Sequence, residues 1–317
     1  MAKEFDVLII GGGAAGLSAA GYAARAGLSV GILEGMAPGG QLLTIDYIEN
    51  YPGFAEGVSG FELAEKFEKS AVDFGAKVIF TTVTGISKKS DIFNVDTEEG
   101  SFSSKTIIYA TGAKHRELNC KGEKDYQGKG VSYCATCDGS FFKNKKIFVS
   151  GGGDSACQEA LFLAKLSNDI TIIHRRDRFR AQQSIVGLVE KNPNIKTLME
   201  AQIKSINGDG KKVTGITVED IPTKKVSEIS CDAVFIFIGS LPNTNLIKDL
   251  DIEFDEQGYI LTDENMQTKL PGFYATGDVR NTPFRQIVTA ASDGAIAAHY
   301  AQQYIDSLTD NVYGEFK

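Results

Sequence analysis

A glycine-rich pattern that occurs twice constrains the fold of this chain more than any other feature. The first copy is the run 11–16 (Gly-Gly-Gly-Ala-Ala-Gly), which follows the apolar segment 5–10 and precedes a helical pattern over 17–25. In such a run the first glycine permits a tight turn, the second lets the backbone approach a pyrophosphate, and the third lets the helix pack on the strand. The pattern therefore predicts a strand, a phosphate-binding turn and a helix.

The second copy repeats this order of elements. The run 151–156 (Gly-Gly-Gly-Asp-Ser-Ala) follows a predicted strand at 146–150 and precedes a helical pattern over 157–166. Because both copies have the strand before and the helix after, a glycine turn in an unrelated α/β protein is the poorer explanation. We predict an α/β protein with two Rossmann-like nucleotide-binding domains.

The residues that end the second strand of each copy differ in charge and distinguish two nucleotides. Glu34 ends the first, and a carboxylate there accepts hydrogen bonds from ribose hydroxyls and repels a 2′-phosphate, which suits FAD. His174, Arg175 and Arg176 end the second, with Arg180 close behind. Guanidinium groups favour a 2′-phosphate, so this copy predicts NADPH; a solvated surface run of charge is the alternative.

Three more strand ends carry glycine and indicate how the domains are arranged. They are Thr111-Gly112, Gly239, and Gly277-Asp278, whose acid can accept a hydrogen bond from a ribityl hydroxyl. Because the last one returns to the first unit, we predict an NADPH domain inserted into the FAD domain. The predicted segments are 1–116 (FAD-binding, first part), 117–244 (NADPH-binding, with the redox dithiol of Cys134 and Cys137) and 245–317 (FAD-binding, second part).

The two copies supply most of the predicted cofactor contacts. For FAD they are Gly11, Gly13, Ala14, Ala15, Gly16, Glu34, Thr111, Gly112, Gly277 and Asp278. For NADPH they are Gly151, Gly153, Asp154, Ser155, Ala156, His174, Arg175, Arg176, Arg180 and Gly239.

Cys134 and Cys137 form a C-x-x-C pair just before the second copy. Such a pair is half of a zinc site, a redox pair or a coincidence. Zinc needs four ligands, whereas the 3 histidines and the other cysteines stand singly, so no metal is predicted. A redox pair is favoured, because close spacing lets one sulfur resolve a mixed disulfide on the other. Asp138 follows; it is either a proton-transfer group or a turn aspartate before Gly139.

Composition excludes some partners. The net charge of −8 argues against nucleic acid, and no apolar segment is long enough to span a bilayer. The apolar segment 5–10 is interpreted as a strand rather than a signal peptide, so we expect a cytoplasmic protein. An odd count of 5 cysteines is no disulfide framework there, and we predict that Cys120, Cys157 and Cys231 pack as small apolar residues.

Over essentially its whole length the chain resembles the low-molecular-weight, bacterial-type thioredoxin reductases. The segment 118–123 departs from the usual turn of that family, and Ser292 stands where glycine is frequent. The motifs that carry the resemblance are Gly11–Gly16, Pro38-Gly39-Gly40-Gln41-Leu42, Glu49-Asn50-Tyr51-Pro52-Gly53, Cys134-Ala135-Thr136-Cys137-Asp138-Gly139, Gly151–Ala156, His174-Arg175-Arg176 with Arg180, Gly277-Asp278 and Arg285-Gln286.

This resemblance implies the remaining roles. Cys137 would face the flavin, Cys134 would attack the disulfide of thioredoxin, and Asp138 would be the general acid/base. The resemblance also implies a homodimer and a rotation of the NADPH domain about its two connections. Further FAD contacts implied by it are Gly39, Gly40, Gln41, Leu42, Asn50, Arg285, Gln286 and Ile287.

Other functions are possible for the same architecture. A ferredoxin–NADP reductase would lack the paired cysteines. A dithiol oxidase that passes electrons to oxygen would not need the cluster of Arg175, Arg176 and Arg180. A non-catalytic FAD-binding redox sensor would not need both an intact dithiol and an NADPH site.

Overall fold

The computed structural model describes residues 3–45 and 47–308, so the last residues of the predicted segment 245–317 lie outside the described part. The chain forms two compact units. The first unit comprises Met1–Lys114 and Leu241–Lys317, and the second comprises His115–Ser240. The second unit is therefore an insertion in the first, and the chain passes between them at two points.

Both units contain strands and helices. The strands are β1 (Lys3–Ile10), β2 (Val30–Glu34), β3 (Lys77–Phe80), β4 (Val83–Lys89), β5 (Ile92–Thr97), β6 (Gly100–Tyr109), β7 (Ala113–His115), β8 (Val131–Ser132), β9 (Lys146–Gly151), β10 (Asp169–Ile173), β11 (Ile195–Leu198), β12 (Ala201–Gly208), β13 (Val213–Asp220), β14 (Val226–Ser230), β15 (Ala233–Phe237), β16 (Ser240–Pro242) and β17 (Phe273–Ala275). The α-helices are α1 (Ala14–Arg25), α2 (Gly60–Asp73), α3 (Ala135–Asp138), α4 (Asp154–Leu163), α5 (Gln183–Lys191) and α6 (Ile287–Leu308). Single 3-10 turns span Gly40–Thr44, Gly139–Phe142, Asn245–Ile247 and Gly277–Val279.

A 7-stranded sheet organises the first unit, in the order β3-β2-β1-β6-β5-β4 with β17 also paired to β6. Strands β1, β2, β3, β6 and β17 are parallel, whereas β4 and β5 are antiparallel additions. The apolar run Val7–Ile10 in β1 is almost fully buried, because both faces of this central strand are covered. The carboxyl ends of β1, β6 and β17 therefore lie side by side, at the edge where ligands bind in such sheets.

Small side chains let two helices approach closely on one face of that sheet. Alanines of α1, such as Ala19 and Ala23, pack against Ala297 and Ala301 of α6 in one buried cluster. At Gly294 a β-carbon would lie 2.1 Å from the Ala15 carbonyl oxygen, so no larger residue fits there. The C-terminal helix is thereby held against the helix that follows the first glycine turn.

The second unit has a 5-stranded sheet, ordered β11-β10-β9-β15-β8, and a separate 3-stranded sheet, β12-β13-β14. All the pairings in the first of these are parallel. Residues 209–212 join the antiparallel strands β12 and β13. The predicted α/β class, with a strand, glycine turn and helix in each unit, is confirmed.

The helix boundaries differ from the sequence prediction. Helices α1 and α4 begin at Ala14 and Asp154, three residues before the predicted starts, because Gly13 and Gly153 are extended and serve as the N-caps. Helix α4 also ends at Leu163, before the predicted end at residue 166. In the described part of the chain, no helix is long and apolar enough to cross a membrane.

Candidate functional site

The predicted redox pair is a disulfide, Cys134–Cys137, with 5.3 Å between the two Cα atoms. Cys134 is extended and caps the short helix α3, which carries Cys137. The Cys137 amide donates a hydrogen bond of 3.2 Å to the Cys134 sulfur, and the Thr136 hydroxyl lies 3.4 Å from the same sulfur. These polar contacts would stabilise a thiolate on Cys134 once the disulfide is reduced.

Asp138 ends α3, and hydrogen bonds through Ser132 connect its carboxylate to the backbone of Cys134. The Ser132 hydroxyl donates to Asp138 Oδ2 at 2.6 Å and accepts a hydrogen bond of 3.1 Å from the Cys134 amide. Ser132 is only 4% exposed. No sequence motif singles out this residue, although its place two residues before a cysteine pair is a usable signal.

Two contacts fix the position of Tyr133, the residue that directly precedes Cys134. Its hydroxyl donates to Glu123 Oε1 at 2.9 Å, and the Leu118 amide donates to the same oxygen at 2.8 Å. The Tyr133 ring also stacks on His115, with ring centroids 5.1 Å apart. Burial, followed by the hydrogen bond to Glu123, raises the pKa of Tyr133, so its hydroxyl remains a donor at neutral pH.

The other three cysteines are thiols. Cys157 and Cys231 are buried, as predicted, whereas Cys120 is only partly buried. Burial raises the pKa of Cys157 to about 11, that of Cys231 to about 12 and that of Cys120 to about 11. They are therefore protonated at neutral pH, in a form that is a poor nucleophile. In the described residues no group of three or more His, Cys, Asp and Glu side chains could hold a metal.

The glycines of the first turn are of two kinds: at some a β-carbon would clash with the backbone, and at one it would meet no protein atom. Gly11 has a φ of +99°, and a β-carbon at Gly16 would lie 2.0 Å from the Gly11 carbonyl oxygen, so the backbone requires glycine at both. Gly13 is different, because its φ of −74° suits any residue and a β-carbon there would meet nothing within 4 Å. The open space at Gly13, over the start of α1, fits the approach of a pyrophosphate.

Several predicted FAD residues converge on this turn. Gly39 forms a bridge with Gly13, and a β-carbon at Gly40 would lie 3.2 Å from Gly13 Cα. From the C-terminal part of the chain, a β-carbon at Gly277 would lie 3.0 Å from the Ala15 side chain. The structure therefore brings together the three glycine segments that the sequence placed far apart.

Glu34 lies at the end of β2, beside the same turn. Its Oε2 accepts a hydrogen bond of 2.7 Å from the Gly12 amide, and its Oε1 accepts one of 3.0 Å from the Met36 amide. A carboxylate has about four acceptor positions, so both oxygens keep capacity for ribose hydroxyls. Leu42, also predicted at this site, is 2% exposed.

Hydrogen bonds hold several of the remaining predicted flavin residues in place. Asn50 Nδ2 donates to Gln286 Oε1 at 3.0 Å, and Gln41 Nε2 donates to the Ala113 carbonyl at 2.9 Å. The Thr111 hydroxyl donates to the Asn243 carbonyl at 2.9 Å, next to Gly112. Ala14 and Ile287, the first residues of α1 and α6, are both partly buried.

The turn at Gly277 and Asp278 is held by a buried ion pair. Asp293 Oδ2 accepts a hydrogen bond of 3.1 Å from the Gly277 amide and pairs with Arg280 at 3.2 Å. Burial raises the pKa of Asp278, while the charge of Arg285 opposes that shift. No sequence pattern predicts this role for Asp293 or Arg280.

Two buried polar atoms near this turn are available to a ligand. Within the described residues, Thr276 Oγ1 and Arg285 Nε are buried and have no hydrogen-bond partner. The Arg285 guanidinium lies 4.1 Å from the centre of the Tyr259 ring, which fixes its plane. A buried donor without a partner is costly, so these two atoms fit the polar groups of a bound flavin nucleotide.

In the second unit, the glycine turn is open at the equivalent position. Gly153 has a φ of −97°, and a β-carbon there would meet nothing within 4 Å, whereas one at Gly151 would lie 2.4 Å from the Phe237 carbonyl oxygen. Ala156 is fully buried, Ser155 is exposed at the start of α4, and Asp154 Oδ1 accepts a hydrogen bond of 2.7 Å from the Gln182 amide. This turn also fits a pyrophosphate.

The predicted basic cluster lies beside that turn. A β-carbon at Gly152 would lie 2.3 Å from the His174 ring, and the Arg180 amide donates to the Gly152 carbonyl at 2.6 Å. The side chains of Arg175, Arg176 and Arg180 are exposed, so they are accessible to an anion. Gly239, with a φ of +103°, lies just beyond the end of the neighbouring strand β15.

His174 is buried and stacks on Phe179, with ring centroids 6.1 Å apart. Burial, followed by the charges of Arg176 and Arg175, lowers the pKa of His174. The imidazole is therefore neutral at neutral pH, and the positive charge of this surface comes from the arginines.

Comparison with known proteins agrees with this geometry. The family model for pyridine nucleotide-disulphide oxidoreductases matches residues 5–294. The thioredoxin reductase of Treponema pallidum is 49% identical over 308 residues, which are 97% of this chain and 99% of that protein. The thioredoxin reductase of Listeria monocytogenes is 41% identical over 313 residues, covering 99% of this chain and 98% of the relative.

Solved structures give the same result. A thioredoxin reductase structure from Streptococcus pyogenes matches with a TM-score of 0.92 at 43% identity, over 97% of this chain and 100% of that one. A thioredoxin reductase from Giardia duodenalis matches with a TM-score of 0.90 at 36% identity, over 96% of this chain and 99% of that one. The resemblance to bacterial-type thioredoxin reductases that the motifs indicate is confirmed, and the chain belongs to the pyridine nucleotide-disulphide oxidoreductase family.

Proposed function

We propose that this chain is an NADPH-dependent thioredoxin-disulfide reductase that uses FAD. The observation that carries the proposal is the Cys134–Cys137 disulfide, which spans the start of α3 in the unit that also holds the basic nucleotide turn. A ferredoxin–NADP reductase has no use for such a pair. Full-length similarity to proteins named thioredoxin reductase supports thioredoxin as the disulfide substrate.

The first unit would hold FAD and the second NADPH. The open turn at Gly13, the carboxylate of Glu34 and the buried donor of Arg285 are suited to FAD. The open turn at Gly153 and the exposed guanidinium groups beside it are suited to the 2′-phosphate of NADPH. When bound, the two cofactors supply two electrons to the disulfide.

The protein's own groups then carry out thiol–disulfide exchange. The Cys134 thiolate attacks one sulfur of oxidised thioredoxin, a mixed disulfide forms, and the second thioredoxin sulfur leaves. Cys137 attacks the Cys134 sulfur, which re-forms the internal disulfide and releases the other thioredoxin thiol. Cys134 is assigned as the nucleophile because its sulfur accepts the Cys137 amide. Cys137 is assigned to the flavin side, and Asp138 transfers the protons.

We also infer that the working molecule is a cytoplasmic homodimer. A groove between α1 and α2 is lined by Tyr22, Arg25, Phe67 and Phe74, and Tyr22 is 58% exposed. Apolar rings at this exposure fit a second copy of the chain rather than water. Light scattering should give twice the chain mass, and Tyr22→Asp should shift the mass toward that of one chain.

The cytoplasmic location is supported by the three cysteines that form no disulfide, since the cytoplasm keeps thiols reduced. Cell fractionation would test this location.

The function is tested by a coupled assay with purified protein, NADPH and oxidised thioredoxin. The wild type should consume NADPH in proportion to the thioredoxin thiols formed. Cys134→Ser should keep NADPH-dependent bleaching of the flavin and lose thioredoxin reduction, whereas Cys157→Ser, a buried thiol outside the pair, should keep both. Thioredoxin turnover by Cys134→Ser would contradict the mechanism, and a flavin that stays yellow with NADPH would favour the redox-sensor alternative.

A further inference from the structure

The hydroxyl of Ser132 connects the redox loop to the carboxylate that follows it. Ser132 ends the short edge strand β8, where it pairs with Phe235 of β15, and it is 4% exposed. Its Oγ lies 2.6 Å from Asp138 Oδ2, 3.1 Å from the Cys134 amide nitrogen and 3.2 Å from the Cys134 carbonyl oxygen. This one buried oxygen thus contacts the backbone amide and carbonyl of Cys134. It also contacts the side chain of Asp138, the residue that follows Cys137.

The hydrogen count of this cluster determines how it behaves. A serine hydroxyl has one hydrogen and two lone pairs. The Cys134 amide occupies one lone pair, so the hydrogen has two competing acceptors, Asp138 Oδ2 and the Cys134 carbonyl. When Asp138 is ionised, the hydrogen points to the carboxylate, which is the nearer and stronger acceptor.

The same geometry also accommodates a protonated Asp138. The carboxylic acid then donates through Oδ2 to the second lone pair of Ser132, and the serine hydrogen rotates to the Cys134 carbonyl at 3.2 Å. Neither protonation state leaves a buried polar group of this cluster without a partner. If the Ser132 hydroxyl had Asp138 as its one acceptor, its hydrogen would lose its partner when Asp138 is protonated, and that protonation state would be less stable.

We propose that Ser132 is a positioning residue for the proton-transfer step, in which it keeps the Asp138 carboxyl group in one orientation through both of its protonation states. This inference rests on the proposed dithiol chemistry. In that chemistry the Cys134 thiol gives its proton to Asp138, an S–S bond forms to the substrate sulfur, and the substrate S–S bond breaks. Asp138 then gives that proton to the leaving substrate sulfur and returns to the carboxylate, so atoms and charge balance.

A second carboxylate near α3 could compete for this role. Helix α4 packs against α3, and its ionisable side chains are Asp154, Cys157 and Glu159. Within the described residues, Glu159 Oε2 is buried without a hydrogen-bond partner, and burial raises the pKa of Glu159. Asp154 is engaged by the Gln182 amide, and the 3-10 turn Gly139–Phe142 contributes no ionisable side chain. Glu159 is therefore the alternative that the experiment must separate from Asp138.

The test is a double-mutant cycle that does not depend on bound cofactors. Each variant is reduced with dithiothreitol, desalted and mixed with 5,5′-dithiobis(2-nitrobenzoate), and the release of the thiolate is followed by stopped flow at pH 7. We expect Ser132→Ala and Asp138→Asn each to slow the fast phase about tenfold, a modest part of what general acid–base catalysis contributes. In the Asp138→Asn background, Ser132→Ala should cost less than about twofold more, because the two residues act as one unit.

Three variants control for folding and for the competing carboxylate. Ser132→Thr keeps the hydroxyl and should restore the rate to within about twofold of wild type. Ser167→Ala removes another buried hydroxyl of the same unit, one that donates to the Lys145 carbonyl and accepts from the Asp169 amide, and it should leave the rate unchanged. Glu159→Gln should slow the reaction little and should leave the Ser132→Ala effect intact.

The inference would be overturned by additive effects of Ser132→Ala and Asp138→Asn, by a wild-type rate in Ser132→Ala, or by coupling to Glu159 instead of Asp138. Because the probe needs neither NADPH nor thioredoxin, a failure of the coupled assay in wild type would contradict the proposed function alone. A normal coupled assay with no Ser132 effect would contradict the positioning role alone.

Discussion

The hydroxyl of Tyr133 donates a hydrogen bond of 2.9 Å to Oε1 of Glu123, a residue that is only 1% exposed. The Leu118 amide donates to the same oxygen, while Oε2 has no hydrogen-bond partner in the described part of the chain. Segment 118–123, where the sequence departs from its family, therefore anchors the residue that directly precedes Cys134. A carboxylate outside the C-x-x-C motif thus holds the residue next to the disulfide in place.

This anchor predicts a specific loss of stability. Tyr133→Phe removes one of two donors to a buried charge, which should lower the free energy of unfolding by about 1.5–3 kcal/mol. Tyr126→Phe is the matched control, because its hydroxyl accepts a 3.3 Å hydrogen bond from the Gly210 amide at the surface. Thermal unfolding of the two variants checks this, and equal midpoints would show that the Glu123 contact is not important.

The open glycine positions predict selective cofactor loss. Gly13→Ala and Gly153→Ala should both fold, because the backbone angles are ordinary and the added carbon meets no protein atom. The first should be purified without flavin colour. The second should be yellow but should not bleach with NADPH, because the methyl group blocks the pyrophosphate.

A glycine outside both turns provides the control. Gly187 lies inside α5 with nothing within 4 Å of the added carbon, so Gly187→Ala should bind both cofactors and gain about 0.5–1 kcal/mol of stability. Absorbance at the flavin band and titration with NADPH measure these outcomes. A Gly13→Ala protein with full flavin content would rule out the first turn as the FAD site.

The arginine cluster predicts the nucleotide preference. Replacement of Arg175, Arg176 and Arg180 by alanine removes the charge-assisted hydrogen bonds that these exposed guanidinium groups would make to a 2′-phosphate, which together are worth more than about 1.4 kcal/mol. The KM for NADPH should rise more than about tenfold, while the KM for NADH should change little. Steady-state kinetics with both nucleotides is the measurement, and an equal loss for NADH and NADPH would mean that the 2′-phosphate does not bind here.

The buried imidazole of His174 predicts a pH dependence of stability. Its pKa is lowered in the folded protein, so the unfolded chain binds the proton more readily. The free energy of unfolding should therefore fall as the pH drops from above about 6.5 through the lower, folded-state value. His174→Gln should make this part of the profile shallower. Urea unfolding between about pH 5 and 8, a range that spans the ordinary pKa of histidine, measures the free energy of unfolding of the wild type and the variant.

The elements that the sequence predicted well are those specified by neighbouring residues. A strand, a glycine turn and a helix lie within about 25 residues in each unit, and helix and turn preferences act over that range. For the same reason the pair Cys134 and Cys137 was evident, since three residues of separation already bring two sulfurs within reach. The helix starts were wrong by one turn, because Gly13 and Gly153 serve as caps rather than as parts of a longer loop.

The contacts that the sequence could not predict join residues from distant parts of the chain. Asn50 meets Gln286 across 236 positions, and Asn243 meets Thr111 across 132. No local pattern encodes such pairs, because they depend on which strands lie side by side in the finished sheet. The sequence by itself thus determined two glycine turns and a cysteine pair. Only the tertiary structure decided that Ser132, Glu123 and Asp293 support them, since a buried polar group must find its partner wherever the packing places one.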